Sequence, residues 1–162
     1  MKPCIQGVVW RVIRADCGRM FMRGFLSGLF FLVGLQLATA QDTLPDAANR
    51  ASIRGVITAQ IAAFRRNDAQ AAFGFATPNI QSMFGTAENF IAMVETGYPP
   101  VWRPRDLQFG ALENRDGQLV QKVELIGPDG APALALYTME RGADGVWRID
   151  GCALLPSEKL SV

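Results

Sequence analysis

The stretch that decides the fold lies near the C-terminus, where residues 105–155 read RDLQFGALENRDGQLVQKVELIGPDGAPALALYTMERGADGVWRIDGCALL. Four apolar-rich runs of strand length alternate here with three short segments that contain glycine. Glycine-containing turns of this length join antiparallel neighbours, so the pattern predicts a four-stranded meander. The predicted strands are 105–113, 118–126, 131–141 and 146–155, and the turns are 115–117, 127–130 and 142–145.

Upstream of the meander, the hydrophobic spacing changes to a helical period. Ile53, Ile57 and Ile61 recur at four-residue intervals behind Asp46, which is a suitable N-cap because its side chain can accept a bond from the first turn. Three more capping residues precede short apolar segments, namely Asp68, Thr77 and Thr86. Residues 46–97 are therefore predicted to be helical.

The proline-rich segment YPPVWRPR, residues 98–105, separates the helices from the strands. Each proline fixes its own φ and keeps the preceding residue out of the helical region, so we predict an extended connector. A chain with helices first and strands second belongs to the α+β class. The predicted architecture is a set of N-terminal helices packed on one face of a curved four-stranded antiparallel meander sheet.

The N-terminal part of the chain has the layout of a secretory signal peptide. Residues 24–38 form an uncharged apolar run that follows Arg19 and Arg23 and precedes the tripeptide Ala-Thr-Ala at 38–40. We expect cleavage after Ala40 and a periplasmic or secreted product without stable membrane insertion. The alternative is an uncleaved anchor, which the short run disfavours because a bilayer-spanning helix needs about 20 apolar residues.

The piece before Met20 fits poorly in front of such a peptide, since the charged region of a signal peptide is usually short. Met20 or Met22 would give a start of ordinary length. We therefore expect residues 1–40 to hold an over-extended start and the signal peptide. Residues 41–162 are predicted to be a single α+β domain with its core at about 46–156.

Composition excludes several classes of chemistry. The sequence has no histidine, which rules out a Ser-His-Asp triad and imidazole metal ligands. Cleavage after Ala40 would remove five of the 16 bases and one of the 15 acids, leaving 11 and 14 and a net charge of −3. An acidic domain without a basic stripe disfavours nucleic acid as a partner. We predict no metal and no cofactor, and no internal disulfide because only Cys152 of the three cysteines remains.

Two motifs carry a family resemblance. The first is GYPPVWRPR at residues 97–105 behind Met-Val at 93–94, and the second is WRIDGC at 147–152. Together they resemble an exported bacterial family, domain of unknown function 4864, over roughly residues 52–155. The order of helices and sheet, with a Gly-x-Trp-x-Ile strand at 145–149, resembles the nuclear transport factor 2-like superfamily. The resemblance implies export and a cone-shaped fold, and it implies no particular activity.

Enzymes of that superfamily, such as ketosteroid isomerase, place carboxylates inside the cone, so the direction of each acid matters. Period-two alternation predicts that Asp106, Glu124 and Asp150 point outward, with Gln121 as the main inward polar group. The third strand is apolar on both faces, which leaves the direction of Tyr137 open. A one-residue bulge would reverse part of a strand. The residues predicted to point inward are Leu107, Phe109, Ala111, Leu119, Val123, Leu125, Trp147, Ile149 and Gly151.

Aromatic and guanidinium groups gather at the predicted helix-to-sheet connector, where Arg103 and Arg105 flank Pro104. Such groups suit a pocket rim for a small ligand or a protein partner. The candidate ligand-binding residues are Tyr98, Trp102, Arg103, Gln121 and Tyr137. The alternative is that the two connector aromatics pack over the open end of the core while the arginines solvate it.

Cys152 is the candidate redox residue. Strand alternation places it on the face of Asp150 and Arg148, where a guanidinium would lower the pKa of the thiol. The alternative is a small buried hydrophobe, which is the common environment of a free cysteine.

The leading functional prediction is a non-catalytic periplasmic module that binds a small apolar ligand or a protein partner through the open end of the cone. No catalytic residue is assigned. One alternative is an isomerase or hydrolase that uses a carboxylate with Tyr98 or Tyr137, and another is a redox-sensitive protein that acts through Cys152. A homodimer through the sheet, burying Leu134 or Tyr137, is also open.

Overall fold

The computed structural model describes residues 45–155, so the predicted signal peptide and start codon lie outside the described residues. Five helices precede the sheet: α1 (Ala47–Arg65), α2 (Ala69–Gly74), α3 (Pro78–Phe84), α4 (Ala87–Gly97) and α5 (Pro99–Trp102). Among the described helices, none is long and apolar enough to cross a membrane.

The predicted N-caps position the helices. Asp46 accepts a hydrogen bond from the backbone N–H of Asn49 at 2.8 Å, and Asp68 accepts one from Ala71 at 3.0 Å. Thr77 and Thr86 cap α3 and α4 in the same way. Each cap satisfies a backbone donor that has no partner inside its helix, so the side chain fixes where the helix begins.

The connector at residues 98–105 is not extended throughout, as the prolines led us to predict, because it contains the helical turn α5. Pro99 and Pro100 occupy the first helical positions, where a missing N–H costs no hydrogen bond and a φ near −65° suits a helix. Tyr98, ahead of the pair, and Arg103, ahead of Pro104, are kept out of the helical region, at φ −134° and ψ 52° and at φ −141° and ψ 67°.

The sheet has the predicted order. Its strands are β1 (Asp106–Arg115), β2 (Gln118–Ile126), β3 (Pro132–Arg141) and β4 (Trp147–Leu155). Each strand pairs antiparallel with the next, in the order β1-β2-β3-β4, which is an open meander. The α+β prediction of helices packed against a four-stranded antiparallel meander is confirmed.

A bulge interrupts the pairing of β1 with β2. Phe109 pairs with Val123 and Leu112 pairs with Gln121, so two residues of β1 stand opposite Lys122 alone. The extra residue reverses the alternation beyond it. Leu112 is therefore buried and Ala111 is exposed, which corrects the predicted inward position of Ala111.

A second bulge lies in β4. Thr138 pairs with Gly151 and Met139 pairs with Ile149, which leaves Asp150 as the extra residue. Beyond the bulge, Cys152 stands opposite Tyr137. Both side chains belong to the hydrophobic core, so the prediction that Cys152 shares the outer face of Asp150 is wrong.

The core lies between the helices and the inner face of the sheet. Ile53, Ile57 and Ile61 line the buried side of α1, as their spacing predicts. Phe64 and Phe90 bring α1 and α4 together, with ring centroids 6.1 Å apart. From the sheet the inner face contributes Leu112, Val123, Leu125, Ala135, Tyr137, Met139, Ile149 and Cys152.

The link between α2 and α3 closes part of the free edge of β4. Ala76 forms a parallel bridge with Ile149. Ile149 donates its N–H to the carbonyl of Phe75 and accepts a bond from the N–H of Thr77, both at 2.9 Å. This short contact ties the helical layer to the sheet through the backbone.

Candidate functional site

The centre of the inner sheet face holds two of the predicted site residues. Tyr137 is 0% exposed, and its strand partner Cys152 is also buried. The Cys152 thiol is the polar neighbour of the Tyr137 hydroxyl, which has no other hydrogen-bond partner among the described residues. The structure thus settles the direction of Tyr137, which the sequence left open.

The thiol and the phenol are both held in their neutral forms. Burial raises the pKa of Cys152 to about 12, and burial followed by the neighbouring thiol raises the pKa of Tyr137 well above 10.0. The predicted guanidinium neighbour is engaged elsewhere, because Arg148 pairs with Asp144 at 2.7 Å. A lowered thiol pKa, on which the redox hypothesis depended, is therefore not found.

The cavity lined by the predicted site residues is very small. A cavity of about 10 Å³ lies between the helices and the sheet. About 10 to 15 Å³ is what one water molecule needs, whereas small-molecule pockets usually measure about 300 to 1,000 Å³. The cavity therefore cannot take the small apolar ligand that we expected from the sequence. Its polar lining residues are Gln60, Tyr98, Tyr137 and Cys152.

Gln121 faces inward as predicted, but its side-chain amide bonds to backbone carbonyls and not to a pocket. Its Nε2 donates to the carbonyls of Gly110 at 2.9 Å and Ala111 at 3.3 Å, which are the bulged residues of β1. The bulge leaves these carbonyls outside the regular ladder, and the amide satisfies them. The side chain is fully buried in that position, away from the small cavity.

The two aromatic residues of the connector pack into the core. Trp102 is 8% exposed and its ring centroid lies 5.4 Å from that of Phe64. Arg103 stays at the surface, stacks over Trp102 at 5.8 Å and donates to Asn67 Oδ1 at 3.0 Å. Tyr98 alone of the three reaches the cavity beside Tyr137. The candidate ligand-binding residues are thus not brought together around one pocket.

The described carboxylates lie outside the core. The buried polar side chains in residues 45–155 are Gln60, Thr77 and Gln121, and no acid is among them. Asp150, at the β4 bulge, accepts a hydrogen bond from the Thr77 hydroxyl at 2.8 Å. The described part of the chain also holds no group of three Cys, Asp or Glu side chains placed to bind a metal ion.

A shallow groove of about 430 Å³ runs between the start of α3 and the β3–β4 turn. Arg148 and Asp144 in its wall neutralise each other, and a hydrogen bond from Arg148 lowers the pKa of Asp144 to about 2. Glu140 is the remaining charged group of the wall. The groove has no convergent set of polar groups of the kind that orients a substrate.

Sequence reasoning missed two structurally important polar residues. Gln60 is buried on α1 and donates from Nε2 to the carbonyl of Ala72 at 3.1 Å, which ties α1 to α2. Its position in the Ile57 and Ile61 stripe was the available signal, because a glutamine there must turn toward the core. Arg65 reaches across to the carbonyl of Pro104 at 2.7 Å, and no local pattern indicates that contact.

The comparison with known families gives the assignment. The sequence pattern of DUF4864, described as a domain of unknown function, matches residues 46–162. The chain belongs to this family. The match begins at the N-cap of α1 and extends over every described helix and strand of the DUF4864 domain. No curated protein and no solved structure matches the chain.

Proposed function

We propose that this DUF4864 domain is an exported, non-catalytic protein-interaction module that associates with a second copy of itself through the outer face of its sheet. The observation that carries the proposal is an apolar patch on that face. The filled interior supports it, because a cavity of about 10 Å³ leaves the surface as the place where binding can occur.

The apolar patch consists of Leu134, Leu136, Ala153 and Leu155. Leu134 stands opposite Leu155 and Leu136 stands opposite Ala153, so the four side chains form two adjacent rows across β3 and β4. All four are only partly buried, and none belongs to the hydrophobic core cluster. Contiguous apolar side chains outside the core are typical of a protein-protein contact surface.

The charges beside the patch favour a second copy as the occupant. Glu113 forms ion pairs with Arg115, at 2.7 Å, and with Lys122. Together with Glu124, these groups sum to zero, so two identical faces meet without net repulsion at this place. A two-fold contact also requires a surface that is complementary to itself, which a balanced face with an apolar centre provides.

The order of the elements supports a relationship to the nuclear transport factor 2-like superfamily. Helices come first, an open meander follows, and the last strand begins at Trp147, within the Gly-x-Trp-x-Ile motif of residues 145–149. The catalytic members of that superfamily depend on carboxylates in the cone. The described acids of this chain lie outside the core, so the domain shares the order of elements but lacks, among its described residues, the buried carboxylates on which that catalysis depends.

Export rests on the signal-peptide pattern of residues 24–40 and places the domain in the periplasm or outside the cell. Mass spectrometry of the chain recovered from the periplasmic fraction tests this part. We expect a mature product that begins at Gln41. A product that retains the apolar run and stays with the membrane fraction would contradict it.

Sedimentation equilibrium of the purified protein tests self-association. We expect the apparent mass to rise from one copy to two with concentration, and Leu136→Lys to abolish the rise because a charge enters the centre of the patch. Met83→Lys is the matched control, since Met83 is 50% exposed on α3 and lies on another surface. We expect that variant to associate like the wild type.

Two outcomes would contradict self-association. A wild-type protein that stays monomeric at every concentration excludes the second copy. Equal loss of association in Leu136→Lys and Met83→Lys excludes the patch as the contact surface. Thermal unfolding of both variants at low concentration shows whether each still folds.

A further inference from the structure

Four arginines gather at the end of the molecule where α1 meets the connector. We call them the arginine cluster: Arg65, Arg66, Arg103 and Arg105. All four are exposed, and they come from two segments that are bonded to each other. Arg65 donates to the carbonyl of Pro104 at 2.7 Å, and Arg103 donates to Asn67 Oδ1 at 3.0 Å. These two hydrogen bonds join the two segments that carry the four arginines.

None of the four guanidinium groups has a carboxylate partner among the described residues, where every ion pair uses Arg115, Lys122 or Arg148. The nearest acids are Asp68 and Asp106 along the chain and Asp129 in the turn after β2, and all three bond to backbone N–H groups. Asp68 and Asp106 accept bonds from the N–H groups of Ala71 and Leu107, and Asp129 accepts one from Ala131.

The cluster is an exception to the charge of the domain. Residues 45–155 contain ten bases and twelve acids, for a net charge of −2, yet four of the ten bases occupy this one end. Assembling like charges at one place is unfavourable unless an anion compensates them. Asp68, Asp106 and Asp129 offset part of this charge, and the remaining local excess of positive charge suits a negatively charged partner.

We propose that the arginine cluster binds an acidic segment of another protein. A guanidinium presents its N–H donors in a planar fork that matches a carboxylate, so neighbouring arginines suit a short run of Asp and Glu side chains. Arg103 is already oriented for this, because it stacks on Trp102 and is fixed by Asn67. This inference uses side chains that are not part of the apolar patch, so it does not depend on self-association.

The surroundings of the cluster favour a protein segment over a membrane or a nucleic acid. Val101 and Trp102 are 3% and 8% exposed, so neither side chain is free to enter a bilayer and the indole ring is not free to stack on a base. The net negative charge of the domain also opposes binding to a large anionic surface, whereas a short acidic peptide contacts the cluster alone.

Isothermal titration of the full chain with a hexaglutamate peptide tests the inference. The informative variant is Arg66→Glu/Arg105→Glu, because neither of these side chains makes a hydrogen bond or ion pair that holds the fold. We expect the affinity to fall by about 10-fold or more, since two attractive charges become repulsive. Raising sodium chloride from about 20 to about 200 mM should also weaken wild-type binding, because exposed charges are screened.

Arg50→Glu/Arg54→Glu is the matched control. It changes the net charge by the same amount on the exposed side of α1, away from the C-terminal end of the helix where the cluster lies. We expect a change in affinity of less than about 3-fold, because these residues lie away from the cluster and act on it only through the screened long-range field. Arg50 also donates to the carbonyl of Pro45 at 2.8 Å and Arg54 lies over the ring of Phe109 at 5.5 Å, so thermal unfolding of both double variants must accompany the titration. Equal weakening by both double variants would overturn the inference, and so would the lack of any binding by the wild-type protein.

Two further titrations separate the partner classes. If the protein bound phosphatidylglycerol vesicles more tightly than the peptide, the choice of a protein segment would be overturned. The same would follow if inorganic phosphate, added at the same total charge as the peptide, displaced the peptide completely. Sedimentation of Arg66→Glu/Arg105→Glu separates this inference from the proposed function. We expect that variant to self-associate normally while it loses the peptide.

Discussion

The two faces of β3 differ in what surrounds their side chains. On the inner face, Tyr137 and Met139 are covered by helices and belong to the core. On the outer face, Leu134 and Leu136 are as apolar as the inner residues but lie outside the core cluster. A strand that is hydrophobic on both sides either lies inside a domain or has a partner on one side. Here the helices account for only one side.

This difference separates two uses of hydrophobic surface. The inner face stabilises the monomer, and the outer face contributes only when another surface covers it. Substitutions on the two faces should therefore differ in size and in their dependence on protein concentration.

The largest expected effect comes from a matched pair of leucines. Leu125, on the inner face of β2, is 1% exposed, and Leu125→Ala should lower the free energy of unfolding by about 2 to 5 kcal/mol. Leu136→Ala at low protein concentration should cost less than about 1 kcal/mol, because little buried surface is lost. Urea unfolding of both variants measures the difference. Equal losses would show that the outer face is buried within the monomer.

The second expected effect is a loss of stability in alkali. The Cys152 thiol has an ordinary pKa of 9.0 and a folded-state pKa of about 12, so the folded protein holds a proton that the unfolded chain releases. This contribution is complete below pH 9 and declines as the pH rises toward 12, with an upper bound of about 4 kcal/mol. Tyr137 acts in the same direction above pH 10.

Urea unfolding between about pH 8 and 11 measures the slope, and Cys152→Ala should make it shallower. Tyr137→Phe, the matched change at the strand partner, should reduce it further at the upper end of the range. An unchanged slope in Cys152→Ala would mean that the thiol is not held neutral by the core.

The third expected effect concerns the bulge of β1. Gln121→Leu removes the amide that satisfies the carbonyls of Gly110 and Ala111, and should cost about 1 to 3 kcal/mol. Gln118→Leu at the exposed start of the same strand should change stability by less than about 0.5 kcal/mol. Amide hydrogen exchange around Gly110 should accelerate in the first variant only. Similar costs at both positions would argue against the bulge contact.

The smallest expected effect lies at the charged rim beside β4. The hydrogen bond from Arg148 holds the pKa of Asp144 at about 2, below its ordinary 3.8. Its contribution to stability is present above pH 3.8 and is lost as the pH falls through 2. Carbon-13 titration by NMR should show this pKa, and Arg148→Gln should raise it toward the ordinary range. An unshifted carboxyl would exclude the pair.

The helix starts were predictable because each depends on one local signal. Asp46, Asp68, Thr77 and Thr86 cap helices where the sequence places them, and the glycine turns define the strand order. These features need no knowledge of distant contacts. The family assignment was equally accessible, since its motifs are contiguous in the chain.

The two bulges were not predictable from alternation, and the prediction of the face on which Cys152 lies was wrong for that reason. Counting by two assumes that every residue has one partner, and Asp150 has none. The side-chain bonds that fix such positions run between distant segments, as from Thr77 to Asp150 or from Gln121 to Gly110. The candidate site residues do not line one pocket, because Trp102 packs in the core and the amide of Gln121 bonds to backbone carbonyls of β1.

The bridge between Ala76 and Ile149 has a consequence for the way copies of this protein can add to one another. A foreign strand that paired with β4 at Ile149 would have to displace residues 75–77, whose backbone groups already bond to Ile149. Growth of a continuous sheet from molecule to molecule needs two open edges, and the edge of β4 is occupied at Ile149, near the start of the strand. The occupied backbone of Ile149 therefore hinders growth of a continuous sheet across β4 and leaves the faces of the sheet as the surfaces for assembly.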